Sequence, residues 1–402
     1  VIADLHYLYS LYPRLGRLME QGPRRFSVLL DEAHNLPERA RGMYSARLAK
    51  RELMQVKRAA PGKLVKSLER INRAMLELQR GDWEERSDCR QLPEKLLHGL
   101  ADFVADVGEE LAEDPNFLPT HPQLMDFYFD VLHWQRVAEH WGDEFLLELN
   151  RGRGTQGLTL VLNCLDPSRL LQEAHQRAHA LIAFSATLSP ARWMSNLLGL
   201  DEAAVCRRMD SPFTAQQLEV VLETAVDTRY QAREQTLGQL AQALQAWLDS
   251  VPGNCSVYFP SDRYLQDCKA LLQLEHRRTW EQRPDLDDQE REALLGLLAR
   301  QRDVAAFCIL GGVFGEGIDL PGEQLTGVAV VGVGLPQVGR ERDQLRDWYQ
   351  RSRGAGFEYA YLYPGMQKVA QALGRVVRTE QDRGRALLVD PRYASSEYRD
   401  LL

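Results

Sequence analysis

From about residue 215 onward, short apolar runs alternate with longer amphipathic stretches. In chain order the pieces are LEVVLET, TLGQLAQALQAWLDSV, CSVYFP, YLQDCKALLQ, AAFCILGG, TGVAVVGVGLP, MQKVAQALGRVVR and RALLVD. The apolar runs are typical of buried strands, and the stretches between them repeat apolar residues with the period of a helix. Strand signals that alternate with helix signals predict parallel sheets flanked by helices, so the predicted fold class is α/β.

The amino-terminal part of the chain shows a different order of signals. Two strand-like runs, VIADLHY and FSVLLD, occur within residues 1–40, and amphipathic helical patterns then fill about 41–150, a block that we expect to be entirely helical. Strand-like runs return at GLTLVLNCLDP and AHALIAFSATLSP. These changes predict three parts: residues 1–40 together with 176–210, an insertion over 41–175, and a second α/β domain over 211–402.

Length and composition exclude several classes of protein. A chain of 402 residues is long enough for two or three domains. No apolar run approaches the roughly 20 residues that span a bilayer, and the first residues do not resemble a signal peptide, so we expect a cytoplasmic protein without membrane contact. The six cysteines form no C-x-x-C pair, which argues against zinc or iron–sulphur ligation by this chain. The net charge of −8 neither predicts nor excludes a nucleic-acid partner.

The run FSVLLDEAHNL carries two adjacent carboxylates, Asp31 and Glu32, at the end of a predicted strand, and His34 follows them. Ligands bind at the carboxyl ends of the strands in open α/β sheets. An Asp there can hold the magnesium ion that bridges the outer phosphates of ATP, and a Glu beside it can act as general base towards water. These residues predict a site of ATP hydrolysis, and a solvated turn with an accidental Asp-Glu pair is the alternative.

A second strand-like run, AFSATLSP, ends in small hydroxyl residues. Ser185 and Thr187 could relay hydrogen bonds between a nucleotide site and a neighbouring domain. The alternative is an ordinary strand-to-helix turn in which Ser189 caps the helix before Pro190. By itself this run does not decide between the two.

A glycine-rich stretch, GGVFGEGIDLPGEQL, spans residues 311–325 and follows the strand-like AAFCIL. Its five glycines, among them Gly315 and Gly317, would allow a phosphate or a nucleic-acid backbone to approach closely, and Asp319 lies among them. A flexible loop is the alternative.

The stretch QKVAQALGRVVRTEQDRG is predicted to be helical up to about Thr379. In such a helix Gln371, Arg375 and Arg378 share one face because they follow each other at intervals of four and three residues. Two arginines directed the same way could stabilise the charge that builds on a transferring phosphate. A solvated basic helix face is the alternative.

Taken together and in this order, the four stretches resemble the motifs of superfamily-two DNA helicases of the XPD/DinG type. VLLDEAHNL is similar to their DEAH box, FSATLSP to their S-A-T motif, GGVFGEGIDLPG to their glycine-rich motif, and QALGRVVRTEQDRGRALLVDPRY to their last motif. The helical block lies where this family carries its arch domain. The resemblance implies two RecA-like motor domains, the first of them incomplete, with a helical arch-like insertion.

The resemblance also implies roles for individual residues. Asp31 and Glu32 would be the magnesium and water-activating carboxylates, and His34 would link the box to the second motor domain. Arg375 and Arg378 would act in catalysis, and the residues that would bind nucleotide are Gln371, Asp319 and Gly317. The residues that would couple nucleotide and DNA are Ser185, Thr187 and Gly315. Such a protein would be a monomer that uses ATP and Mg²⁺, moves 5′ to 3′ on single-stranded DNA, and unwinds forked duplexes in repair or replication.

One family motif is absent. No G-x-x-x-x-G-K-[ST] phosphate loop occurs, since the single Gly-Lys pair, Gly62-Lys63, has Lys57 at the position of the first glycine and Leu64 at that of the hydroxyl residue. The four cysteines that hold an iron–sulphur cluster in many members are also missing. We therefore expect the chain to be the carboxy-terminal portion of a helicase, inactive alone, with the phosphate loop and any cluster supplied upstream.

Two other functions remain open from the sequence. A degenerate helicase-like module could bind DNA or a partner without hydrolysing ATP. A nuclease could use the carboxylates Asp285, Asp287 and Asp288, although their surroundings are typical of a charged helix start.

Overall fold

The structure is a computed structural model that divides into two compact units. The first unit comprises residues 1–188 and 192–204, and the second comprises 189–191 and 205–402. The residues that the structure describes are 2–21, 25–152, 157–283, 288–312 and 322–402. No helix among them is long and apolar enough to cross a membrane.

The first unit contains two sheets and the helices around them. The strands are β1 (Ser27–Leu30), β2 (Ala46–Ala49), β3 (Arg86–Cys89), β4 (Phe145–Arg151), β5 (Leu158–Cys164) and β6 (Ala180–Ala183). The helices are α1 (His6–Tyr9), α2 (Arg14–Gln21), α3 (Leu36–Met43), α4 (Lys50–Ala59), α5 (Val65–Gln79), α6 (Glu94–Glu113), α7 (Pro122–Glu139) and α8 (Ser168–His175), and α9 (Ala191–Leu197) follows.

Strands β1 and β6 form a two-stranded parallel sheet in which Leu30 is the partner of Ala183. Leu30 is buried, whereas Leu29 and Ile182 on the other face are 68% and 57% exposed. Because the strands are parallel and in register, the segments after Leu30 and after Ala183 leave the sheet at the same edge.

The prediction that residues 41–150 are entirely helical is wrong. Three strands lie within that block, and with β5 they form an antiparallel sheet of order β2-β5-β4-β3. The helix pattern of α7 ends at Glu139, and Gly142 accepts a hydrogen bond from the Phe145 N–H at 3.0 Å in the turn that starts β4. Strand β5 has the alternating burial expected of a sheet with one face on a core, since Leu158, Leu160 and Leu162 are buried.

The prediction of a strand in VIADLHY is also wrong, because this segment contains α1. The Asp4 side chain accepts a hydrogen bond from the His6 backbone N–H at 2.9 Å, which favours a helical turn over an extended chain. Leu8 and Tyr9, which follow this run, are buried, so α1 packs on a core through its carboxyl-terminal residues, while Ile2 and Tyr7 of the run are exposed.

The second unit is built on one parallel sheet of six strands, in the order β7-β12-β11-β8-β10-β9. The strands are β7 (Leu218–Glu223), β8 (Cys255–Phe259), β9 (Arg278–Glu281), β10 (Val304–Ile309), β11 (Gly327–Val331) and β12 (Gly384–Val389). The helices are α10 (Arg233–Ser250), α11 (Asp262–Lys269), α12 (Asp288–Arg300), α13 (Arg340–Arg353), α14 (Tyr363–Leu373) and α15 (Ser396–Arg399).

The central strands of this sheet are buried on both faces. In β11, Val328 and Val330 belong to one core cluster, and Ala329 and Val331 belong to the cluster on the opposite face. All five residues of β8 and of β11 are buried, as expected for the central strands of a parallel sheet with helices on both sides. The predicted alternation of strands and helices after residue 215 is therefore confirmed.

Candidate functional site

The parallel pairing of β1 with β6 brings the DEAH stretch next to the S-A-T stretch. The Phe184 N–H donates to the Leu30 carbonyl at 3.0 Å, and the Ala33 N–H donates to the Phe184 carbonyl at 3.2 Å. These bonds continue the ladder past the last paired residues of the strands. Two stretches that are far apart in sequence therefore form one turn region, in which His34 and Ser185, 151 residues apart, lie side by side.

Glu32 adopts the left-handed backbone conformation, with φ 46° and ψ 44°. This conformation costs on the order of 1–3 kcal/mol for a residue other than glycine and is found mostly at functional sites. Two hydrogen bonds hold the turn: the Asp31 side chain accepts from the Glu32 N–H at 2.8 Å, and the Glu32 carbonyl accepts from the Asn35 N–H at 3.0 Å. The backbone thus presents two exposed carboxylates at the carboxyl end of β1.

The side chains of Glu32, His34 and Ser185 form a hydrogen-bonded group. The Ser185 hydroxyl donates to Glu32 Oε2 at 3.1 Å and lies 2.7 Å from His34 Nδ1, which is 3.2 Å from the same carboxylate oxygen. The geometry fits a ring with its proton on Nδ1, which donates to the serine oxygen while the serine proton is directed at Glu32. The imidazole is 7% exposed and the carboxylate 62% exposed, so a nearly buried ring orients a solvent-facing carboxylate.

Thr187 joins the same turn through its backbone. Its N–H donates to the Ser185 oxygen at 3.3 Å, so this hydroxyl oxygen accepts from the backbone and donates to Glu32. The structure therefore brings together Asp31, Glu32, His34, Ser185 and Thr187, which the sequence had placed in two separate motifs.

Asp31 fits the chemistry of a magnesium ligand. Magnesium ions in nucleotide sites are held by one or two carboxylates together with phosphate oxygens and water. Asp31 supplies one exposed carboxylate at the strand end, which is sufficient for that mode of binding. Within the described ranges no group of three or more His, Cys, Asp or Glu side chains could hold a metal ion by protein ligands alone.

The prediction of a helix up to Thr379 is wrong, and with it the prediction that the three residues of the last motif share a helix face. Helix α14 ends at Leu373, so that Gln371 lies in the helix, Arg375 in the turn after it, and Arg378 in an irregular segment. Gly374 follows the helix, and the β-branched Val376 and Val377 are buried. These three residues explain why α14 ends at Leu373, because glycine and β-branched residues disfavour a helix and the two valines pack in the core.

The two arginines of the motif lie in opposite surroundings. Arg375 is 6% exposed, whereas Arg378 is exposed. Burial raises the pKa of the Cys308 thiol to about 12, although the positive charge of Arg375 acts in the opposite direction. A buried guanidinium is fixed in position, and an exposed one remains accessible to a ligand.

The segment that carries Arg378 is held by a carboxylate that the sequence reading missed. Oδ2 of Asp382 accepts hydrogen bonds from the backbone N–H groups of Arg378 and Thr379, at 2.8 Å each. Oδ1 accepts from the Thr379 hydroxyl at 2.7 Å. Burial opposes ionisation of Asp382, but these bonds and one from the Gly322 N–H lower its pKa below the usual value. An aspartate within four residues of a motif residue, followed by Gly384, is a sequence signal for such a capped turn.

Of the five glycines in the glycine-rich motif, Gly311, Gly312 and Gly322 lie among the described residues. Gly315, Gly317 and Asp319 lie outside the described residues, as do Asp285 and Asp287 of the nuclease alternative.

Comparison with known proteins agrees with the geometry of both units. Residues 244–402 match the family model of the helicase C-terminal domain. The whole chain is 21% identical over 417 residues to the ATP-dependent DNA helicase XPD of Sulfolobus acidocaldarius, an alignment that covers 98% of this chain and 70% of that protein. The chain is related to the XPD/DinG-type superfamily-two helicases.

Two further relatives of this XPD/DinG-related chain cover less of it. It is 25% identical over 310 residues to a probable ATP-dependent helicase of Methanocaldococcus jannaschii, which is 70% of this chain and 46% of that protein. It is 28% identical over 265 residues to the ATP-dependent DNA helicase chl-1 of Caenorhabditis elegans, which is 58% of this chain and 31% of the relative. The chain thus spans less than half the length of these two proteins.

Solved XPD structures share the fold. An XPD helicase superposes on 98% of this chain and 70% of its own with a TM-score of 0.59 at 17% identity. The Xpd4 protein of S. tokodaii gives a TM-score of 0.62 at 15% identity and covers 98% of this chain and 79% of its own. The predicted α/β fold with parallel, RecA-like sheets is confirmed, while the limits of the insertion, 41–175, stay a prediction.

Proposed function

We propose that this chain carries the DEAH-box and arginine motifs of an ATP-dependent DNA helicase, as the carboxy-terminal portion of that motor. The observation that carries the proposal is the group formed by Glu32, His34 and Ser185 at the carboxyl ends of two parallel strands. A general base must be oriented towards the proton that it removes. In this group Ser185 and His34 hold Oε2 of the Glu32 carboxylate in position.

In the proposed reaction Glu32 takes a proton from the water that attacks the outer phosphate. Ser185 and His34 hold the carboxylate through Oε2, and Oε1 is proposed as the atom that receives the proton. Asp31 would hold Mg²⁺, which supplies positive charge to the phosphate oxygens when it is bound. The exposure of both carboxylates supports these roles, because water and a metal ion must reach them.

The last motif contributes positive charge. Arg378, with its exposed side chain, is proposed to stabilise the charge that builds on the transferred phosphate, and the buried Arg375 to help define the position of the motif. Gln371 of α14, with Gly317 and Asp319, is proposed to contact the nucleotide. The order of these motifs along the chain supports the assignment, since the resemblance to XPD/DinG-type helicases depends on the complete ordered set.

Single-stranded DNA is the proposed track, and 5′ to 3′ movement with unwinding of forked duplexes is the proposed output. The relatives that are named DNA helicases support this choice of substrate. Ser185, Thr187 and Gly315 would transmit the state of the nucleotide to the DNA. Ser185 is suited to that role because its hydroxyl touches both the proposed base and His34.

The test uses the full-length protein, because these 402 residues contain no G-x-x-x-x-G-K-[ST] phosphate loop. We expect ATP hydrolysis that single-stranded DNA stimulates, and unwinding of a duplex with a 5′ single-stranded tail but not of one with a 3′ tail. DNA binding without hydrolysis would support a non-catalytic module and contradict the proposal. Unwinding of the 3′-tailed duplex alone would overturn the proposed direction.

A further inference from the structure

The segment 378–382 belongs to no helix or strand, so no regular backbone hydrogen bonds hold its conformation. Asp382 closes it from one side through the N–H groups of Arg378 and Thr379. The carbonyl groups of Thr379, Glu380 and Asp382 accept hydrogen bonds from outside the segment, and a buried carbonyl without a partner is costly. One residue from a distant part of the chain supplies those donors.

That residue is Gln217, at the end of the 3₁₀ turn Ala215–Gln217 that leads into β7. Its Nε2 lies 3.1 Å from the Thr379 carbonyl, 3.2 Å from that of Glu380 and 3.0 Å from that of Asp382. A carboxamide has two N–H donors, so these three acceptors share them in a forked arrangement. Gln217 thereby fastens the carbonyl side of the segment whose N–H side is fastened by Asp382.

The other end of the Gln217 side chain fixes which way the amide faces. Its Oε1 accepts from the Thr214 N–H at 2.9 Å, within a capping box formed by these two residues. The oxygen is therefore turned towards Thr214 and the nitrogen towards the segment. Gln217 is 8% exposed, so the bonds are made largely away from water, where they are harder to replace.

We propose that Gln217 is a positioning residue for Arg378: it holds the segment 378–382 in the one shape that presents the Arg378 guanidinium to the phosphate. Gln217 lies in none of the four motifs and touches no reacting atom. The inference rests on the function proposed above for Arg378. Displacement of a charge-stabilising group by about 1 Å can lower a rate by on the order of a hundredfold, so loss of the clamp should reduce turnover more than it reduces ATP binding.

The test compares Gln217→Met, which keeps the length of the side chain and removes its donors, with Gln216→Met at the neighbouring exposed position. In the full-length protein we expect Gln217→Met to lower kcat for DNA-stimulated ATP hydrolysis at least about tenfold with little change in KM. Hydrogen exchange at the amides of 378–382 should accelerate, and Gln216→Met should change neither. Unchanged kcat and exchange in Gln217→Met would overturn the proposal.

A double-mutant cycle separates positioning from a general loss of stability. If Gln217 acts through Arg378, then Gln217→Met added to Arg378→Ala should lower single-turnover hydrolysis by less than about twofold more. The same factor in both backgrounds would overturn the proposal. If Gln217→Met does not fold, Gln217→Asn, whose amide is one methylene short of the segment, is expected to give the same pattern more weakly. Full turnover by Arg378→Ala alone would refute the proposed function instead, which distinguishes the two failures.

Discussion

The two motif-bearing regions of this molecule are held in place by different physical means. The DEAH stretch leaves a two-stranded sheet with an exposed apolar face, and its base is oriented by the side chains of His34 and Ser185. The arginine motif leaves a helix packed on a six-stranded sheet whose central strands are buried on both faces, and hydrogen bonds from Asp382 and Gln217 hold its backbone.

This difference predicts how each region responds to substitution. Around Glu32 the important contacts join a few partly exposed side chains, so a single change should alter the chemistry and leave the fold nearly intact. Around Arg375 and Asp382 the contacts belong to the core, so a change should alter folding stability together with activity.

Arg378→Ala is expected to lower DNA-stimulated ATP hydrolysis in the full-length protein on the order of a thousandfold or more, because it removes a charge proposed to act in the transition state. The free energy of unfolding should change little, because the Arg378 side chain is exposed and the hydrogen bonds of its segment involve the backbone. The matched control is Arg383→Ala, an exposed arginine of the same region. A loss confined to ATP affinity would assign Arg378 to phosphate positioning and not to charge stabilisation.

Ser185→Ala is expected to lower kcat about tenfold, because it removes one hydrogen bond that orients Glu32, and such a bond contributes about 1–1.5 kcal/mol. Urea unfolding should be nearly unchanged, as the contrast requires for the first region. Ser185→Thr keeps the hydroxyl and should restore most of the rate. A large loss of stability in Ser185→Ala would show that the turn is structural and would remove the distinction between the regions.

The smallest effect concerns Asp390, which lies at the end of β12 in the second unit. Burial opposes ionisation of this carboxylate, but hydrogen bonds from Arg392 and Thr228 outweigh it and lower its pKa. A lowered folded-state pKa means that the stabilisation is complete above the unfolded-state value near 3.9 and is lost as the pH falls through the folded-state value.

We therefore expect the urea midpoint of the wild-type chain to fall below about pH 4, and Asp390→Asn to be less stable at neutral pH with a shallower acid dependence. The exposed Asp400→Asn should retain the wild-type profile. An unchanged acid dependence in Asp390→Asn would show that other carboxylates determine the behaviour of this unit.

The sequence predicted the second unit more reliably than the first for a physical reason. Strands such as β8 and β11 are buried on both faces, so they are continuous apolar runs that few other structures could accommodate. Near the amino terminus, the apolar residues of VIADLHY satisfy a strand pattern equally well, and the side chain of Asp4 decides in favour of a helical turn. A single local hydrogen bond of this kind leaves no periodic signal.

In the candidate site, too, the sequence predicts some features and misses others. The residue types of Asp31, Glu32 and Ser185 are recognisable in sequence, and parallel pairing of their strands explains why they meet. The burial of Gln217 has no sequence signature, because it follows from contacts with a segment that is distant along the chain. The prediction that Arg375 and Arg378 share a helix face fails because Val376 and Val377 are buried in the core. This burial is a tertiary effect, which the local sequence pattern does not show.

Glu32→Gln in the full-length protein tests whether Glu32 is the base for ATP hydrolysis. The amide keeps the shape of the side chain and cannot take a proton from water, while Glu202→Gln is the exposed control. We predict that DNA-stimulated turnover falls on the order of a thousandfold while ATP binding is retained. Turnover equal to that of the wild-type protein would contradict the account.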